Sequence, residues 1–465
     1  MSRSRKVLVL LLVIAAAGAA VITVIRYRLQ SDVDSQLYIP GQTAMTPELK
    51  LLQEYVKIDT SNPPGKETAG ARFLAAILEK NGVHAEVIES EPGRGSVYAR
   101  IKGKRPGEGL LLLHHIDVVP ATNEGWSQPP FAGAVYLNAL YGRGTLDMKG
   151  VGVCELVAFL DVARSGRVPE RDIVFLGTAD EEQGGHKGME WLLAHRPDIF
   201  AGIRYAVNEG GVTETREEKI SYVGIEIGTK MAVTARLRAR DRATMQKVRI
   251  ELSPYMFPRD PERITPEMRA YLHSIAPMRH VQGQWLNDID ATIARGKFWL
   301  LPRGYMELMQ NVIWLDGVRQ DDRGATMVVK LLNLPDENPD LRLAWLQKEI
   351  APLGATIEEV TGKMGPAPFS SLDTPLFALI ARESRRTLGD VPVGSQILSN
   401  SSNDSRYLRA RGINAYGIWP FPVDFYQTQG IHGIDERVRL DWFMEGVALM
   451  KRIVSAWAFE AQPGR

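Results

Sequence analysis

The stretch Leu-Leu-Leu-Leu-His-His-Ile-Asp at 110–117 runs a short, fully apolar segment directly into two histidines and an aspartate. A continuous apolar run of this length is typical of a strand buried on both faces, as in a mostly parallel sheet covered by helices. Residues 173–176 and 205–207 repeat the pattern, ending just before the acidic segments at 180–182 and 208–209. The sequence therefore predicts an α/β fold with polar side chains at the carboxyl ends of strands, where ligands bind in open α/β sheets.

Five polar segments, spread over more than three hundred residues, have the composition of a two-metal hydrolase site. Histidine and carboxylate side chains are nitrogen and oxygen donors that suit zinc, with cobalt or manganese as alternatives. Three carboxylates and two imidazoles are enough for two ions only if one carboxylate bridges them. The candidate metal ligands are His115, Asp147, Glu182, Glu209 and His432.

The local pattern suggests a role for each acidic residue. Asp147 follows a Gly-Arg-Gly turn, where glycines let the backbone approach a metal, and it is predicted to bridge, although it could also cap the following helix. Asp117 points to the same side of its strand as His115 and is predicted to orient that imidazole through the other ring nitrogen. The adjacent side chains of Glu181 and Glu182 diverge, so Glu182 is assigned to metal. Glu181 is left as the general base for a water whose pKa the ions lower.

Length and composition indicate more than one domain and fit an enzyme. The 465 residues exceed what one hydrophobic core usually serves. With 56 basic and 55 acidic residues, the chain has no electrostatic footprint for nucleic acid. The single cysteine, Cys154, excludes an intramolecular disulfide framework and a thiolate-rich metal site. It lies in an apolar helical stretch and is predicted to be a buried, inert thiol.

The pattern of apolar and polar residues changes near residue 228. Residues 233–240 alternate strictly between apolar side chains and threonine or arginine, which predicts a strand with one solvated face. We predict an inserted α+β domain at 228–362, between two parts of a catalytic domain at 30–227 and 363–465. This interruption explains why the last candidate ligand, His432, lies so late in the chain.

The first 29 residues are predicted to be a transmembrane anchor or a signal segment. The apolar run at 7–25 would span roughly 29 Å as a helix, close to the thickness of a bilayer's hydrocarbon core. Three basic residues precede the run and favour a cytoplasmic N-terminus, although two arginines follow it. An uncleaved anchor is favoured over a cleaved signal peptide. Both alternatives predict a catalytic domain on the periplasmic or extracellular side, membrane-anchored in the first case.

The joint motif set resembles the two-zinc family of aminoacylase, carboxypeptidase S, succinyl-diaminopimelate desuccinylase and glutamate carboxypeptidase, in the zinc exopeptidase superfamily. Four segments carry the resemblance: Leu-Leu-Leu-His-His-Ile-Asp-Val-Val-Pro, Trp-Ser-Gln-Pro-Pro-Phe-Ala-Gly at 126–133, Tyr-Gly-Arg-Gly-Thr-Leu-Asp-Met-Lys-Gly and Ala-Asp-Glu-Glu-Gln-Gly-Gly. Asn-Glu-Gly-Gly-Val and the export segment are most similar to the carboxypeptidase S and N-acyl-amino-acid hydrolase branch.

The resemblance implies two Zn²⁺ per chain, with Asp147 shared between them. It implies His115 and Glu209 at one zinc, Glu182 and His432 at the other, Glu181 as general base and Asp117 as orienting carboxylate. The implied fold is a zinc-peptidase α/β domain interrupted by a smaller, ferredoxin-like lid domain. The implied reaction is hydrolysis of an amide beside a free carboxylate, in a small peptide or an N-acyl amino acid. Because family lids often form dimer contacts, a homodimer is an open expectation.

The predicted lid departs from the family pattern. Family lids carry a Gly-His-x-Ser-x-Pro-like segment whose histidine helps to stabilise the oxyanion, but residues 241–245 contain no histidine. The lid histidines, His273 and His280, come more than thirty residues later. Loss of one oxyanion donor typically costs about a hundred- to a thousand-fold in turnover. A catalytically impaired, metal-binding protein on the same fold is therefore one alternative, and an aminopeptidase from another two-zinc family is a second.

Two further residues are candidates for binding substrate. The segment at 399–407 stands where the family has Gly-Gly-Thr-Asp-x-Arg, and it keeps Asp404 and Arg406. Arg406 is predicted to clamp a substrate carboxylate, because its planar fork suits bidentate pairing, with a structural salt bridge as the alternative. Asn311 matches a lid position that can reach the substrate carbonyl.

Overall fold

The computed structural model describes residues 43–257, 261, 263–363, 365–399 and 402–460. The predicted anchor or signal segment at 1–29 lies outside these residues. Within the described ranges, no helix combines the length and the hydropathy needed to cross a bilayer.

The described strands form three sheets. In chain order they are β1 (Ala85–Glu89), β2 (Gly95–Ile101), β3 (Arg105–His115), β4 (Ala134–Tyr136), β5 (Ala139–Tyr141), β6 (Arg171–Thr178), β7 (Ile203–Asn208), β8 (Thr213–Arg216), β9 (Lys219–Thr229), β10 (Met231–Ala239), β11 (Val312–Leu315), β12 (Arg319–Asp321), β13 (Gly324–Asn333), β14 (Ala355–Thr361), β15 (Val393–Leu398), β16 (Asn414–Gly417), β17 (Pro422–Val423) and β18 (Arg437–Arg439).

The α-helices form a second set. In chain order they are α1 (Pro47–Val56), α2 (Glu67–Lys80), α3 (Lys149–Arg164), α4 (Met189–His195), α5 (Arg242–Leu252), α6 (Pro266–Ile275), α7 (His280–Leu286), α8 (Ile289–Ala294), α9 (Arg303–Glu307), α10 (Pro339–Ile350), α11 (Pro375–Leu388), α12 (Ser405–Arg409), α13 (Phe425–Thr428) and α14 (Leu440–Phe459).

The largest sheet has ten strands in the order β1-β2-β6-β3-β7-β16-β9-β8-β17, with β15 also paired to β9. Its centre is parallel: β3 lies between β6 and β7, and β16 follows β7 in the same direction. The four leucines of 110–113 are fully buried, because this central strand has no solvated face. The predicted α/β class, with a mostly parallel sheet flanked by helices, is confirmed.

Helix α3 shows how the sheet is covered. Every residue from Lys149 to Leu160 is buried, and the helix packs between β3 and the long C-terminal helix α14. Cys154 is a free thiol at 0% exposure, as predicted. Because α3 is covered by the sheet on one side and by α14 on the other, its sequence is mostly apolar all round instead of amphipathic.

The second sheet is antiparallel, in the order β11-β13-β10-β14, with β12 paired to β13. Strand β10 alternates as predicted: Val233, Ala235 and Leu237 are buried, whereas Arg236 and Arg238 point to the other face. The buried side chains form a separate core with helices α5 and α10. Helices α6 to α9, which lie between β10 and β11 in the sequence, instead pack buried or partly buried residues into the core of the large sheet. The segment 228–362 is therefore divided between two cores.

Candidate metal centre

The candidate ligands meet at one edge of the large sheet because parallel strands end there together. His115 is the last residue of β3, and its register partner in β6 is Thr178. The chain then turns into a short 3-10 helix over Glu181–Gln183, while β7 ends at Asn208, just before Glu209. The strand-end placement read from the sequence therefore brings three separate segments to one point.

Asp147 lies between two histidines. One carboxylate oxygen, Oδ1, is 3.0 Å from Nε2 of His115, and the other, Oδ2, is 3.0 Å from Nε2 of His432. The same His115 nitrogen is 3.7 Å from Glu209 Oε1, and the same His432 nitrogen is 3.1 Å from Glu182 Oε2. Each oxygen of Asp147 thus belongs to a separate cluster of one imidazole and one further carboxylate.

The donor set fits divalent cations. Ligand atoms of His115, Asp147 and Glu182 all lie within 4.8 Å of one another, as do those of His115, Glu181 and Glu209. Glu182 Oε1 is buried without a hydrogen-bond partner in the described part of the chain, and a buried carboxylate oxygen of this kind needs a cation or a donor. Imidazole nitrogen and carboxylate oxygen suit zinc, cobalt or manganese. The donor set alone does not select one of them.

Several carboxylates are buried close together at this site. Without a metal ion, their negative charge is balanced by protons held on the carboxylates and histidines. The hydrogen bonds to Asp147 and Glu182 raise the pKa of His432 to about 10. Burial and the neighbouring Asp147 raise the pKa of Glu209 to about 7. Burial alone would lower the pKa of His115, but the charges of Glu209 and Asp147 outweigh it and raise that pKa well above its usual value. Cations at these ligands would replace the protons.

The contact that orients His115 is made by the main chain of Asp117. Nδ1 of His115 is 2.8 Å from the Asp117 carbonyl oxygen and 3.7 Å from its nearer carboxylate oxygen. The Asp117 carboxylate instead accepts hydrogen bonds from the N–H groups of Glu181 and Glu182, each at 3.1 Å. The sequence spacing correctly brings the two residues together, but it does not distinguish a carbonyl from a carboxylate. Asp117 therefore ties the imidazole to the Glu181–Glu182 turn.

Comparison with known proteins identifies the family. Residues 111–456 match Peptidase family M20/M25/M40. This chain belongs to that family. Aminoacylase-1 of Sus scrofa is 26% identical over 430 residues, which cover 90% of this chain and 97% of the pig protein. Aminoacylase-1 of Homo sapiens is 32% identical over 434 residues, which cover 89% and 95% of the two chains.

Solved structures of M20 proteins have the same fold. An M20 family metallo-carboxypeptidase from Sulfolobus solfataricus superposes with a TM-score of 0.68 at 18% identity, covering 89% of this chain and 99% of its own. A dinuclear metal-binding M20 peptidase from Bacillus subtilis has a TM-score of 0.54 at 12% identity, covering 88% and 97%. The family resemblance predicted from the motifs is confirmed, and with it the class of metal-dependent amidohydrolase.

Arg406 of this M20 chain lies beside the candidate general base. Its Nη1 is 3.9 Å from Glu181 Oε1 and donates to the Asn403 carbonyl at 3.0 Å, while its Nη2 donates to the Gly184 carbonyl at 2.7 Å. The Tyr407 hydroxyl donates to the same Gly184 oxygen at 2.6 Å. Because the guanidinium is buried and its terminal nitrogens already have partners, these contacts favour the structural alternative over a substrate clamp.

The lid candidates have partners of their own. The side-chain amide of Asn311 donates to Glu337 Oε1 at 3.0 Å, and its oxygen accepts from the Leu334 N–H at 2.9 Å. His273 lies with Nδ1 3.1 Å from the Asn287 carbonyl. These contacts hold Asn311 and His273 within the segment 228–362.

Sequence reasoning missed the polar residues around the M20 ligands. Asn62 donates to Asp117 Oδ2 at 2.9 Å and to Asp180 Oδ1 at 3.1 Å, and Arg94 forms a buried ion pair with Glu67 at 2.7 Å. Asn62 lies in an Asn-Pro-Pro segment, which reads as a turn, and no motif distinguishes Arg94 from other basic residues. Their partners lie about thirty to more than a hundred positions away in the sequence, which only the folded chain reveals.

Proposed function

We propose that this M20 chain is a di-metal hydrolase that cleaves an amide bond next to a free carboxylate, in an N-acyl amino acid or a small peptide. The observation that carries the proposal is the position of Asp147, with one oxygen 3.0 Å from each of the two histidine nitrogens. A carboxylate in that position can bridge two cations, with His115 and Glu209 on one side and Glu182 and His432 on the other. Zinc is the proposed metal, with cobalt or manganese as alternatives.

Glu181 is the proposed general base. When bound, divalent cations would polarise the substrate carbonyl and lower the pKa of the attacking water. Burial, together with the nearby carboxylates Glu209 and Asp404, raises the pKa of Glu181 well above its usual value, although the charge of His115 opposes this. A carboxylate with a raised pKa can accept a proton from water and return it to the leaving amine. Asp117 holds the Glu181 backbone N–H, so it fixes the base relative to His115.

The substrate class is proposed from the relatives. Aminoacylase-1 proteins match along nearly the whole chain, and a metallo-carboxypeptidase has the same fold. An N-acyl amino acid and a peptide with a free C-terminus share one chemical feature, an amide beside a carboxylate. We propose this shared feature as the recognised group. A homodimer and export through the segment at 1–29 remain further proposals, the latter supported by its apolar run and basic flank.

Metal analysis combined with a substrate panel tests the proposal. The purified protein should bind two equivalents of zinc and hydrolyse N-acyl amino acids or dipeptides, and chelation should abolish the activity reversibly. Activity that survives acylation of the substrate's amino group excludes an obligate aminopeptidase. Two bound zinc ions without hydrolysis, and with no effect of Glu181→Gln, would instead support the metal-binding protein without turnover.

Arg406 requires a separate test, because its two possible roles differ in kinetics. If it holds the Gly184 carbonyl and the Glu181 turn, Arg406→Lys should lower kcat and leave KM nearly unchanged. A substrate-carboxylate clamp predicts a raised KM, and this difference from the wild type should disappear when the substrate carboxylate is replaced by an amide. Tyr407→Phe is the matched control, since it removes one hydrogen bond to the same Gly184 oxygen.

A further inference from the structure

A buried ion pair, Arg143 with Glu436, joins two loops that carry candidate metal ligands. Arg143 lies four residues before Asp147, and Glu436 lies four residues after His432. The guanidinium Nη1 is 2.5 Å from the Glu436 Oε2 atom, and both residues are buried. The pair therefore connects segments that are 293 positions apart in the sequence.

Glu436 organises the loop that carries Asp147. Its Oε1 atom accepts hydrogen bonds from three main-chain N–H groups, those of Gly144 at 3.1 Å, Leu146 at 2.8 Å and Asp147 at 3.1 Å. Convergent amides around one oxygen form an anion-binding concavity, which fixes the backbone that surrounds it. Since the N–H of Asp147 is one of the three, Glu436 sets the point from which the bridging carboxylate extends.

Arg143 holds the other loop. Its Nη2 donates to the carbonyl of Gly433, the residue directly after His432, at 2.7 Å, and its Nη1 is 3.5 Å from the Gly430 carbonyl. The ring centroid of Trp126 lies 5.4 Å from the guanidinium carbon. A guanidinium presents its donors in a fixed plane, so these acceptors and the Glu436 carboxylate are held in one arrangement.

His432 depends on this loop for its position. Its side chain is 52% exposed, so packing restrains it little. Its φ of 58° is in the left-handed region, which is uncommon for a residue with a side chain. The hydrogen-bonding contacts of its Nε2 are with Asp147 and Glu182, the carboxylates proposed to share its metal.

The paired strands β5 and β18 anchor the two loops at their bases. Tyr141, the last residue of β5, pairs with Arg437, the first residue of β18. The next pair inward is closed by a hydrogen bond from the Gly142 N–H to the Glu436 carbonyl at 2.9 Å. Beyond this strand pairing, the contact between the side chains of Arg143 and Glu436 holds the two loops together on the way to the ligands.

We propose that Arg143 and Glu436 are positioning residues for the metal site formed by Asp147, Glu182 and His432, because together they fix Asp147 and His432 at the separation that one cation requires. The inference rests on the two-metal site proposed above. Neither side chain is itself a candidate ligand, so their effect on metal binding is through the loops. Residues that orient metal ligands typically cost about 10- to 100-fold in metal affinity when they are replaced.

The test measures zinc affinity in the full folded chain, stripped of metal and titrated against a competing chelator. Glu436→Gln keeps the side-chain volume, but its amide offers an oxygen either to the three N–H groups or to Arg143, and the other partner then faces an NH2 group. Arg143→Lys keeps the charge but cannot serve Glu436 and the Gly433 carbonyl in one plane. We expect one of the two zinc-binding steps to weaken about 10- to 100-fold in either variant, with the other step nearly unchanged.

Asp172→Asn is the matched control. Asp172 pairs with Arg100 at 2.8 Å, both side chains are mostly buried, and the pair lies at the start of β6, away from the ligands at its end. This variant should lower the melting temperature without changing either zinc step. The double variant Arg143→Gln/Glu436→Gln should weaken zinc binding no more than the more damaging single change, because the two residues act as one unit.

The outcomes separate the inference from the proposed function. If Glu436→Gln and Arg143→Lys lower the melting temperature as Asp172→Asn does but leave both zinc steps unchanged, the positioning role is refuted. If the wild-type chain binds only one zinc, the di-metal function fails. In that case the positioning role is supported if Glu436→Gln and Arg143→Lys weaken that single site and Asp172→Asn does not. It is refuted if all three variants change zinc affinity equally. Arg143→Lys, the milder change, decides the matter if Glu436→Gln does not fold.

Discussion

Charged side chains are buried at the end of the large sheet and exposed on the face of the small sheet. At the end of the large sheet, His115, Glu181 and Glu182 have side chains that are 1%, 10% and 5% exposed. On the small sheet, Arg236 and Glu359 form a pair at 3.0 Å in which each side chain is 50% exposed. Burying charge is costly unless a partner neutralises it, so the first arrangement needs cations or protons at the site, while the second is ordinary for a solvated sheet face.

The largest loss of activity is expected from a substitution of Glu181, a buried carboxylate at the end of the large sheet. Glu181→Gln should lower kcat for N-acyl amino acids or dipeptides by about 10²- to 10⁴-fold, the usual contribution of a general base. Zinc content should stay at the wild-type level, because the substitution removes a proton acceptor and leaves the proposed ligands in place. Steady-state kinetics together with metal analysis of the same preparation measure both quantities.

An exposed glutamate on the following helix provides the control for that experiment. Glu190 is 53% exposed and pairs with His186 on the surface, so Glu190→Gln should leave kcat within error of the wild type. Equal activity of Glu181→Gln and Glu190→Gln would contradict the role of Glu181 as general base.

In the small sheet the largest effect should come from an apolar residue. Leu237 is fully buried between β13 and β14, and Leu237→Ala should lower the free energy of unfolding by about 2–5 kcal/mol. Both zinc-binding steps should be unchanged, because the side chain belongs to the separate core of this sheet. Urea denaturation and zinc titration test the two statements. Val360→Ala, at a residue of the edge strand β14 that is 39% exposed, is the control with an expected change within about 0.5 kcal/mol.

The same contrast explains what the sequence could predict. The apolar run at 110–113 indicated a buried central strand, and the strand-end rule brought His115, Glu182 and Glu209 together without any contact information. The strict alternation at 233–240 indicated a sheet with one wet face. Both predictions depend on local patterns, and the structure agrees with both.

What the sequence could not supply was the identity of distant partners. The amphipathic pattern of α6 shows that Met268 and Leu272 are buried, but not that they pack with the large sheet. Nor does spacing reveal that the Asp117 carbonyl, and not its carboxylate, contacts His115. The pairing of Arg143 with Glu436 is set by the convergence of two loops, which has no local signature.

The pH dependence of the metal-free protein gives a smaller test of the buried charge. Burial and Asp147 raise the pKa of Glu209 from 4.5 to about 7, so the folded state holds a proton that the unfolded state releases, and stability falls as pH rises through this range. Hydrogen bonds to Asp147 and Glu182 raise the pKa of His432 from 6.5 to about 10, so its contribution is complete below pH 6.5 and is lost toward pH 10. Hydrogen bonds from the two histidines lower the pKa of Asp147 despite its burial, so its contribution is constant above neutral pH.

Melting temperatures with a chelator present should therefore fall steadily between pH 6 and pH 9. Glu209→Gln should flatten the lower part of this slope, and His432→Gln the upper part. With zinc in excess the trend should oppose this, because the ligands bind metal in their deprotonated forms and zinc affinity rises with pH. A metal-free protein whose melting temperature rises across this range would contradict the proposed proton balance at the site.

The smallest effect is expected at the exposed pair on the small sheet. Arg236→Gln removes the contact with Glu359, but both side chains are half exposed, so solvent already screens their attraction. The free energy of unfolding should change by no more than about 0.5 kcal/mol at low salt, and the difference should vanish near 1 M salt, where the screening length is about 3 Å. Urea denaturation at both salt concentrations measures this. A loss as large as that of Leu237→Ala would mean that the outer face of this sheet is covered by another part of the protein or by a second copy, because only burial makes such a pair costly to break.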